Sequence, residues 1–81
     1  METHEIPLED IYVPAKRRRD VDAAKVEELA ESIMEEGQKV PIQVRKDGER
    51  LVLVEGLHRL EAARALGEAT VLGIFVGARR F

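Results

Sequence analysis

A strand-like apolar run near the middle of the chain ends at one glycine, and a helix-like run begins directly behind it. The stretch is LVLVEGLHRLEAARALG, residues Leu51–Gly67, with Gly56 at the junction. The first backbone N–H groups of a helix lack a partner inside the helix and carry the positive end of its dipole, so they can bind an anion. Gly56 allows close approach, and His58 and Arg59 add side-chain donors. The stretch predicts a phosphate site; the alternative is a solvated first turn in which His58 caps or packs.

The length of 81 residues predicts a single domain, 1–81, with one small core. At 44% hydrophobic and 36% charged residues, the composition is typical of a folded globular chain. A chain of this size buries only roughly 60–65% of its unfolded surface, so we expect modest stability unless it binds a ligand or forms a homodimer.

The absence of cysteine excludes disulfides, thiolate metal sites and cysteine nucleophiles, and it favours a reducing compartment. His4 and His58 lie far apart in the sequence, so no structural zinc is expected. No apolar run approaches the roughly 18–20 residues of a membrane span, and the N-terminus is acidic rather than signal-like. We therefore expect a cytoplasmic protein without a membrane partner.

Charge is distributed unevenly along the chain. The net charge of −3 argues against a surface built wholly for nucleic acid. A basic run, Lys16–Arg19, nevertheless precedes a segment rich in glutamate: Glu27, Glu28, Glu31, Glu35 and Glu36. The basic run is either a solvated loop or a source of arginine for a phosphate, and DNA or a protein is a further candidate partner for it.

Two patterns in the first half predict a strand and a helix. Loose alternation over Thr3–Val13, interrupted by Pro7, predicts a short edge strand followed by a turn. Asp22 is a suitable N-cap, and Gly37 a suitable end, for a helix between them. The apolar residues of that helix recur at helical spacing, so we expect them in the core: Val26, Leu29, Ala30 and Ile33.

The second half predicts a hairpin, a helix and a strand. Residues 41–45 alternate, Asp47-Gly48 marks a turn, and residues 51–54 form the next strand. The second helix follows Gly56, and residues 69–76 form a last buried strand. The order β-α-β-β-α-β predicts an α+β fold with a small, mixed, twisted sheet and two main helices. The tail from Gly77 to Phe81 is predicted to be a frayed terminus.

From Ile6 to Val76 the chain resembles the ParB/sulfiredoxin superfamily. The run DVDAAKVEELAESIMEEGQKVPIQVR resembles the ParB amino-terminal pattern of a helix, a Ser-Ile pair, a glycine and a Pro-Ile strand. The run LVEGLHRLEAARALG resembles the motif written GERR in partition proteins, GCHR in sulfiredoxins and DGHHR in related free-serine kinases. The resemblance implies the same fold and a nucleotide phosphate at this motif.

The resemblance also implies roles for individual residues. The motif Gly56-Leu57-His58-Arg59 matches the phosphate-binding residues. Lys25 and Ser32 resemble sulfiredoxin positions that contact ATP from the first helix, and Arg18 resembles an arginine that partition proteins contribute from the loop before it. Two of these residues could instead form bonds within their own helix: Lys25 could pair with Glu28, and Ser32 could bond to the backbone.

Departures from the pattern exclude two known activities. Leu57 stands where sulfiredoxins have their catalytic cysteine, so repair of sulfinic acids by this chain is excluded. The helix-turn-helix and dimerisation regions of partition proteins are absent from the sequence, so this chain alone does not bind DNA sequence-specifically in their manner. GLHR is nearer to the GCHR motif of the adenine-nucleotide branch of the superfamily than to the GERR motif of the CTP-binding branch. The resemblance therefore favours ATP or ADP over CTP as the ligand.

Glu55 occupies the position of the acidic residue in DGHHR, where a carboxylate could bind Mg²⁺ or accept a proton. The alternative is a solvated strand end. We therefore expect a nucleotide-binding domain that hydrolyses or transfers a phosphoryl group slowly, with Glu55, His58 and Arg59 as catalytic candidates. The rival hypothesis is a non-catalytic module in which the nucleotide switches a protein or DNA interaction of a partition or transcription system.

Overall fold

The computed structural model describes residues 2–77, in which short strands alternate with helices. The elements are β1 (His4–Pro7), a 3-10 turn (Leu8–Asp10), β2 (Ile11–Tyr12), α1 (Ala15–Arg18), α2 (Ala23–Glu36), β3 (Ile42–Asp47), β4 (Arg50–Glu55), α3 (Leu57–Ala65) and β5 (Thr70–Phe75). The predicted α+β class, with two main helices, is confirmed. The predicted frayed tail lies outside the described residues from position 78 onward.

The five strands form one mixed sheet in the order β1-β5-β3-β4-β2. β1 and β2 lie at opposite edges, although only Leu8–Asp10 separates them. A flat sheet of this size would hold its edges roughly 19 Å apart, whereas the connection from Pro7 to Ile11 reaches at most about 14 Å. The sheet must therefore curl, and Ile6 and Ile11 from the two edges enter one core.

The N-terminal segment differs from the prediction of one edge strand and a turn. β1 pairs antiparallel with β5, and the two residues of β2 pair in parallel with β4. An alternating pattern cannot be recognised over two residues, so β2 was not predictable from periodicity. The basic run, predicted as a loop, overlaps the one-turn helix α1.

The hairpin and both ends of α2 agree with the prediction. β3 and β4 pair antiparallel across the turn that contains Gly48. The Asp22 side chain accepts a hydrogen bond from the Ala24 N–H at 2.9 Å, and α2 ends before Gly37. Because an N-cap carboxylate satisfies a backbone donor that the helix cannot, Asp22 fixes where α2 begins.

The prediction that the apolar face of α2 belongs to the core is wrong. None of its residues is buried, and Val26, Leu29 and Ile33 are only partly covered. The reason is that α2 packs mainly on α3 and not on the sheet. Helical spacing identifies the face that turns inward, but it does not tell how deeply that face is buried.

α3 lies on the core side of the molecule. Leu57, Leu60 and Ala63 are buried together with Ile42 and Val44 of β3. Leu60 and Ile42 have no exposed surface. The first turn of α3 is therefore held against β3, which gives the Gly56 junction a fixed position.

Candidate functional site

Gly56 is required by its backbone conformation and by its neighbour. Its φ of 105° lies in the left-handed region, and a Cβ placed there would be 2.7 Å from Cγ2 of Ile42. No side chain caps α3 at this residue. The first intrahelical bond runs from the Leu60 N–H to the Gly56 carbonyl at 2.9 Å, so the N–H groups before Leu60 have no acceptor within the helix.

A hollow of about 340 Å³ lies at this helix N-terminus. Its walls come from α1 and the following turn on one side and from the β4–α3 junction on the other: Arg17, Asp20, Glu55, Gly56, Leu57, His58 and Arg59. The Arg17 guanidinium donates a hydrogen bond to the Val54 carbonyl, which joins α1 to the end of β4. The hollow therefore combines open backbone donors with two guanidinium groups.

The structure brings most predicted residues of the motif to this hollow, with two differences. The Leu57 side chain is buried in the core, so only its backbone can face a ligand. Arg18 is exposed and does not line the hollow, whereas the adjacent Arg17 does. Successive helical residues point about 100° apart, and the one-turn helix α1 turns Arg17 inward.

His58 has a partner on the neighbouring helix. Its Nε2 accepts a hydrogen bond from the Asp22 backbone N–H at 3.1 Å. This contact joins the beginning of α3 to the beginning of α2. It corresponds to the alternative in which His58 caps a backbone group, and it leaves the second ring nitrogen for another partner.

A second hollow, of about 480 Å³, adjoins the first and shares His58 and Arg59 with it. Lys25, Glu28 and Leu29 of α2 form its other wall. No ion pair within 4.0 Å joins Lys25 to Glu28 in the described part of the chain. The predicted Lys25 thus lies near the motif, whereas Ser32 is exposed and lines neither hollow.

Two carboxylates, those of Glu55 and Asp20, line the first hollow. Glu55 was predicted; Asp20 and Arg17 were not, because only the folded chain brings the end of the basic run to the glycine junction. Within residues 2–77, no group of three or more His, Cys, Asp or Glu residues could hold a metal ion by itself. A cation here would need further oxygen ligands from a phosphate or from water.

A larger hollow, of about 560 Å³, lies at the opposite end of the sheet. His4, Lys46 and Phe75 line it, together with Val76 and Gly77. Its lining combines one ammonium group with two aromatic rings and includes no helix N-terminus. Among residues 2–77, none of the helices has the length and apolar character that a membrane span requires.

The chain matches the model of the ParB N-terminal domain over residues 1–81. It is 42% identical over 67 residues to the chloroplastic/mitochondrial sulfiredoxin of Arabidopsis thaliana, covering 83% of this chain and 54% of that protein. The crystal structure of Arabidopsis sulfiredoxin superposes with a TM-score of 0.87 and 36% identity, covering 96% of this chain and 88% of that chain.

Partition proteins form the second group of similar proteins. A probable chromosome-partitioning protein ParB of Campylobacter jejuni is 39% identical over 59 residues, covering 73% of this chain and 21% of that protein. Truncated ParB of Caulobacter crescentus, solved with CTP-γ-S, superposes with a TM-score of 0.81 and 29% identity, covering 98% of this chain and 46% of that chain. The same protein has also been solved with the centromeric parS site.

The chain therefore spans about half of the sulfiredoxin and about one fifth of the partition protein. The family assignment made from the GLHR motif and the Pro-Ile strand is confirmed by the family model and by both groups of relatives. This chain belongs to the ParB N-terminal domain family.

Proposed function

We propose that this domain binds a nucleoside di- or triphosphate with its phosphates at the N-terminus of α3. The observation that carries the proposal is the uncapped first turn of α3, which opens into a hollow lined by Arg17 and Arg59. Backbone N–H groups at a helix N-terminus suit phosphate oxygens, and a guanidinium can bind two of them at once. The solved complex of Caulobacter ParB with a CTP analogue supports the proposal.

The adjoining hollow is the proposed position of the nucleoside. It shares His58 and Arg59 with the phosphate hollow, so one ligand can extend across both. Leu29 offers an apolar wall, while Lys25 and Glu28 offer one donor group and one acceptor group. We expect ATP or ADP to bind more tightly than CTP, since GLHR resembles the sulfiredoxin motif. The Caulobacter ParB complex makes CTP the alternative to test.

Mg²⁺ fits the donor set of the phosphate hollow. The Glu55 and Asp20 carboxylates line it beside two arginines. Mg²⁺ usually keeps several waters and is held by one or two carboxylates together with substrate phosphates. The bound ion would neutralise phosphate charge, and Glu55 and Asp20 would hold it or its waters.

Glu55 also supports slow turnover of the bound nucleotide. In hydrolysis, a water oxygen forms a bond to the terminal phosphorus, the bond to the leaving diphosphate oxygen breaks, and the water proton passes to a base. The Glu55 carboxylate is a candidate for that base, while His58 and Arg59 stabilise charge on the phosphoryl oxygens. The test is release of inorganic phosphate from MgATP by the wild-type chain, with no release by a Glu55→Gln variant that still binds MgATP.

Two contacts favour a second candidate function, a nucleotide-switched interaction module. The Arg17 bond to Val54 and the Asp22 bond to His58 connect the segment around α1 directly to the phosphate hollow. A ligand in the hollow would then stabilise α1, and the exposed side chains of the basic run, Lys16, Arg18 and Arg19, could contact DNA, an acidic protein surface or a second copy of the chain. Hydrogen exchange at residues 15–20 should slow when MgATP binds. Unchanged exchange in a protein with confirmed binding would contradict the switch.

A ligand panel tests the proposed function itself. MgATP, MgADP, MgCTP and Mg-pyrophosphate are titrated by calorimetry, and the melting temperature is measured with each. Binding only to the folded state raises stability by RT ln(1 + [L]/Kd), about 2.7 kcal/mol at 100 times Kd. We expect a rise with at least one nucleotide and a weaker response to pyrophosphate. No binding of any of the four would contradict the proposal.

A further inference from the structure

The hydrogen bond between Asp22 and His58 has a consequence for the imidazole. A backbone N–H can only donate, so Nε2 of His58, 3.1 Å from the Asp22 nitrogen, must be the acceptor. An accepting Nε2 carries no proton. The neutral ring therefore carries its one proton on Nδ1, and this tautomer follows from the geometry alone.

We infer that the Asp22 backbone N–H is a positioning group that holds His58 as the Nδ1–H tautomer and so presents Nδ1–H to the phosphate. This inference rests on the proposed function of the hollow. With Nε2 occupied by Asp22, Nδ1 is the one ring nitrogen left to donate to an anion. No other hydrogen bond to the His58 ring occurs within the described range of the chain.

The surroundings of His58 show why a fixed tautomer matters. His58 is half-exposed and lines both hollows, so its ring is not held by burial. In the opposite tautomer the ring would present a lone pair at Nδ1, which repels phosphate oxygens. A single backbone donor from the neighbouring helix removes that alternative and orients the ring.

Asp22 thereby has two separate roles on two different atoms. Its carboxylate accepts from the Ala24 N–H and caps α2, while its own backbone N–H donates to His58. The two roles can be separated by mutation. Asp22→Ala removes the cap and keeps the backbone donor, whereas Asp22→Pro removes both.

The direct test is nitrogen-15 NMR of the full chain without ligand. The shifts of the two ring nitrogens report which one carries the proton, and a coupling across the hydrogen bond joins the Asp22 amide nitrogen to His58 Nε2. We expect a protonated Nδ1 and a measurable coupling for His58. His4 is the internal control, since its ring contacts Phe75 edge-on with centroids 5.2 Å apart. A proton on Nε2 of neutral His58, or the absence of the coupling, would overturn the inference.

The second test compares the affinities of the two variants for MgATP. We expect Asp22→Pro to bind about three- to tenfold more weakly than Asp22→Ala, the worth of one ordinary hydrogen bond. Equal affinities would overturn the positioning role. If Asp22→Pro does not fold, the NMR result on the unsubstituted chain decides. If the unsubstituted chain shows the coupling but binds neither nucleotide nor pyrophosphate, the proposed function fails while the tautomer assignment stands.

Discussion

The two long helices of this domain begin in opposite ways. At the start of α2, the Asp22 carboxylate accepts a backbone hydrogen bond and places negative charge at the positive end of the helix dipole. At the start of α3, Gly56 supplies no cap, and the open turn faces a hollow with two arginines. Both helices have unsatisfied N–H groups in their first turn, but at α2 the Asp22 carboxylate accepts from the Ala24 N–H, whereas no side chain caps α3. A missing side-chain cap therefore distinguishes the first turn of α3 from that of α2.

The two helices also differ in how firmly they are held. α3 buries four residues, whereas α2 buries none and is partly covered through its contact with α3. Burial on one side fixes the first turn of α3 against β3, so its N–H groups keep their direction without a cap. A helix that is held mainly by another helix, as α2 is, can shift at smaller cost. In the proposed function, the firmly held α3 would bind the phosphates, and the less buried α2 would respond to them.

The largest expected effect is the loss of unfolding free energy when a leucine of α3, rather than one of α2, is replaced by alanine. Leu60→Ala should lower the free energy of unfolding by about 2–5 kcal/mol, because this side chain is fully buried. Leu29→Ala on α2 should cost only about 1–2 kcal/mol, because Leu29 is partly exposed and loses less contact. Urea titration measures both values. Equal losses of unfolding free energy would show that α2 is as deeply packed as α3, contrary to the difference in burial described above.

The junction glycine gives the next largest effect. Gly56→Ala should cost about 2–4 kcal/mol, because it combines a left-handed backbone with a methyl group 2.7 Å from Ile42 Cγ2. Gly48→Ala is the matched control, since Gly48 has a φ of 64° and no atom within 4 Å of the added Cβ. We expect about 1–2 kcal/mol for the control, from backbone strain alone. If the two variants unfold at the same urea concentration, Ile42 does not hold the junction.

The two arginines of α3, Arg59 and Arg64, should differ in their effect on nucleotide binding. Arg59→Ala should weaken MgATP binding about ten- to a hundredfold, the loss of charge-assisted hydrogen bonds to phosphate, with little change in stability. Arg64→Ala, on the same helix, is the control, because Arg64 lies outside both hollows and pairs with Glu61 at 3.0 Å. Calorimetric titration of both variants decides. An Arg59 variant with unchanged affinity would disprove its place in the site.

The smallest effect is expected at the cap of α2. Asp22→Ala should lower the free energy of unfolding by about 1 kcal/mol, the usual worth of an N-cap, because the Ala24 N–H loses its partner. Nucleotide affinity should stay within about twofold, since the Asp22 backbone donor to His58 is kept. Thermal unfolding and calorimetry on the same sample provide both numbers. A large loss of affinity would mean that the α2 terminus belongs to the binding site.

The sequence predicted those structural features that depend on neighbouring residues in the chain. Asp22, Gly48 and the Gly56 junction act through the backbone of their own neighbours, so the limits of α2, the hairpin and α3 were predictable. The Pro-Ile strand and the GLHR motif sufficed to predict the family.

Features set by distant contacts were not predictable in the same way. β2 is too short to show a period, and its pairing with β4 depends on the curl of the whole sheet. The inward turn of Arg17 in place of Arg18 depends on the Val54 carbonyl, 37 residues away. Leu29 is only partly buried because of where α3 lies, and the spacing of apolar residues within α2 carries no information about the position of α3.

In the proposed function, the N-terminus of α3, and not that of α2, binds phosphate. Backbone amide NMR during titration with Mg-pyrophosphate tests it most directly, because each N–H reports separately. We expect the amides of Leu57, His58 and Arg59 to shift most, with a common dissociation constant, while those at the start of α2, Ala23 and Ala24, shift far less. Shifts concentrated at Ala23 and Ala24 or in Lys16–Arg19, with the amides of Leu57 to Arg59 unchanged at saturating pyrophosphate, would contradict it.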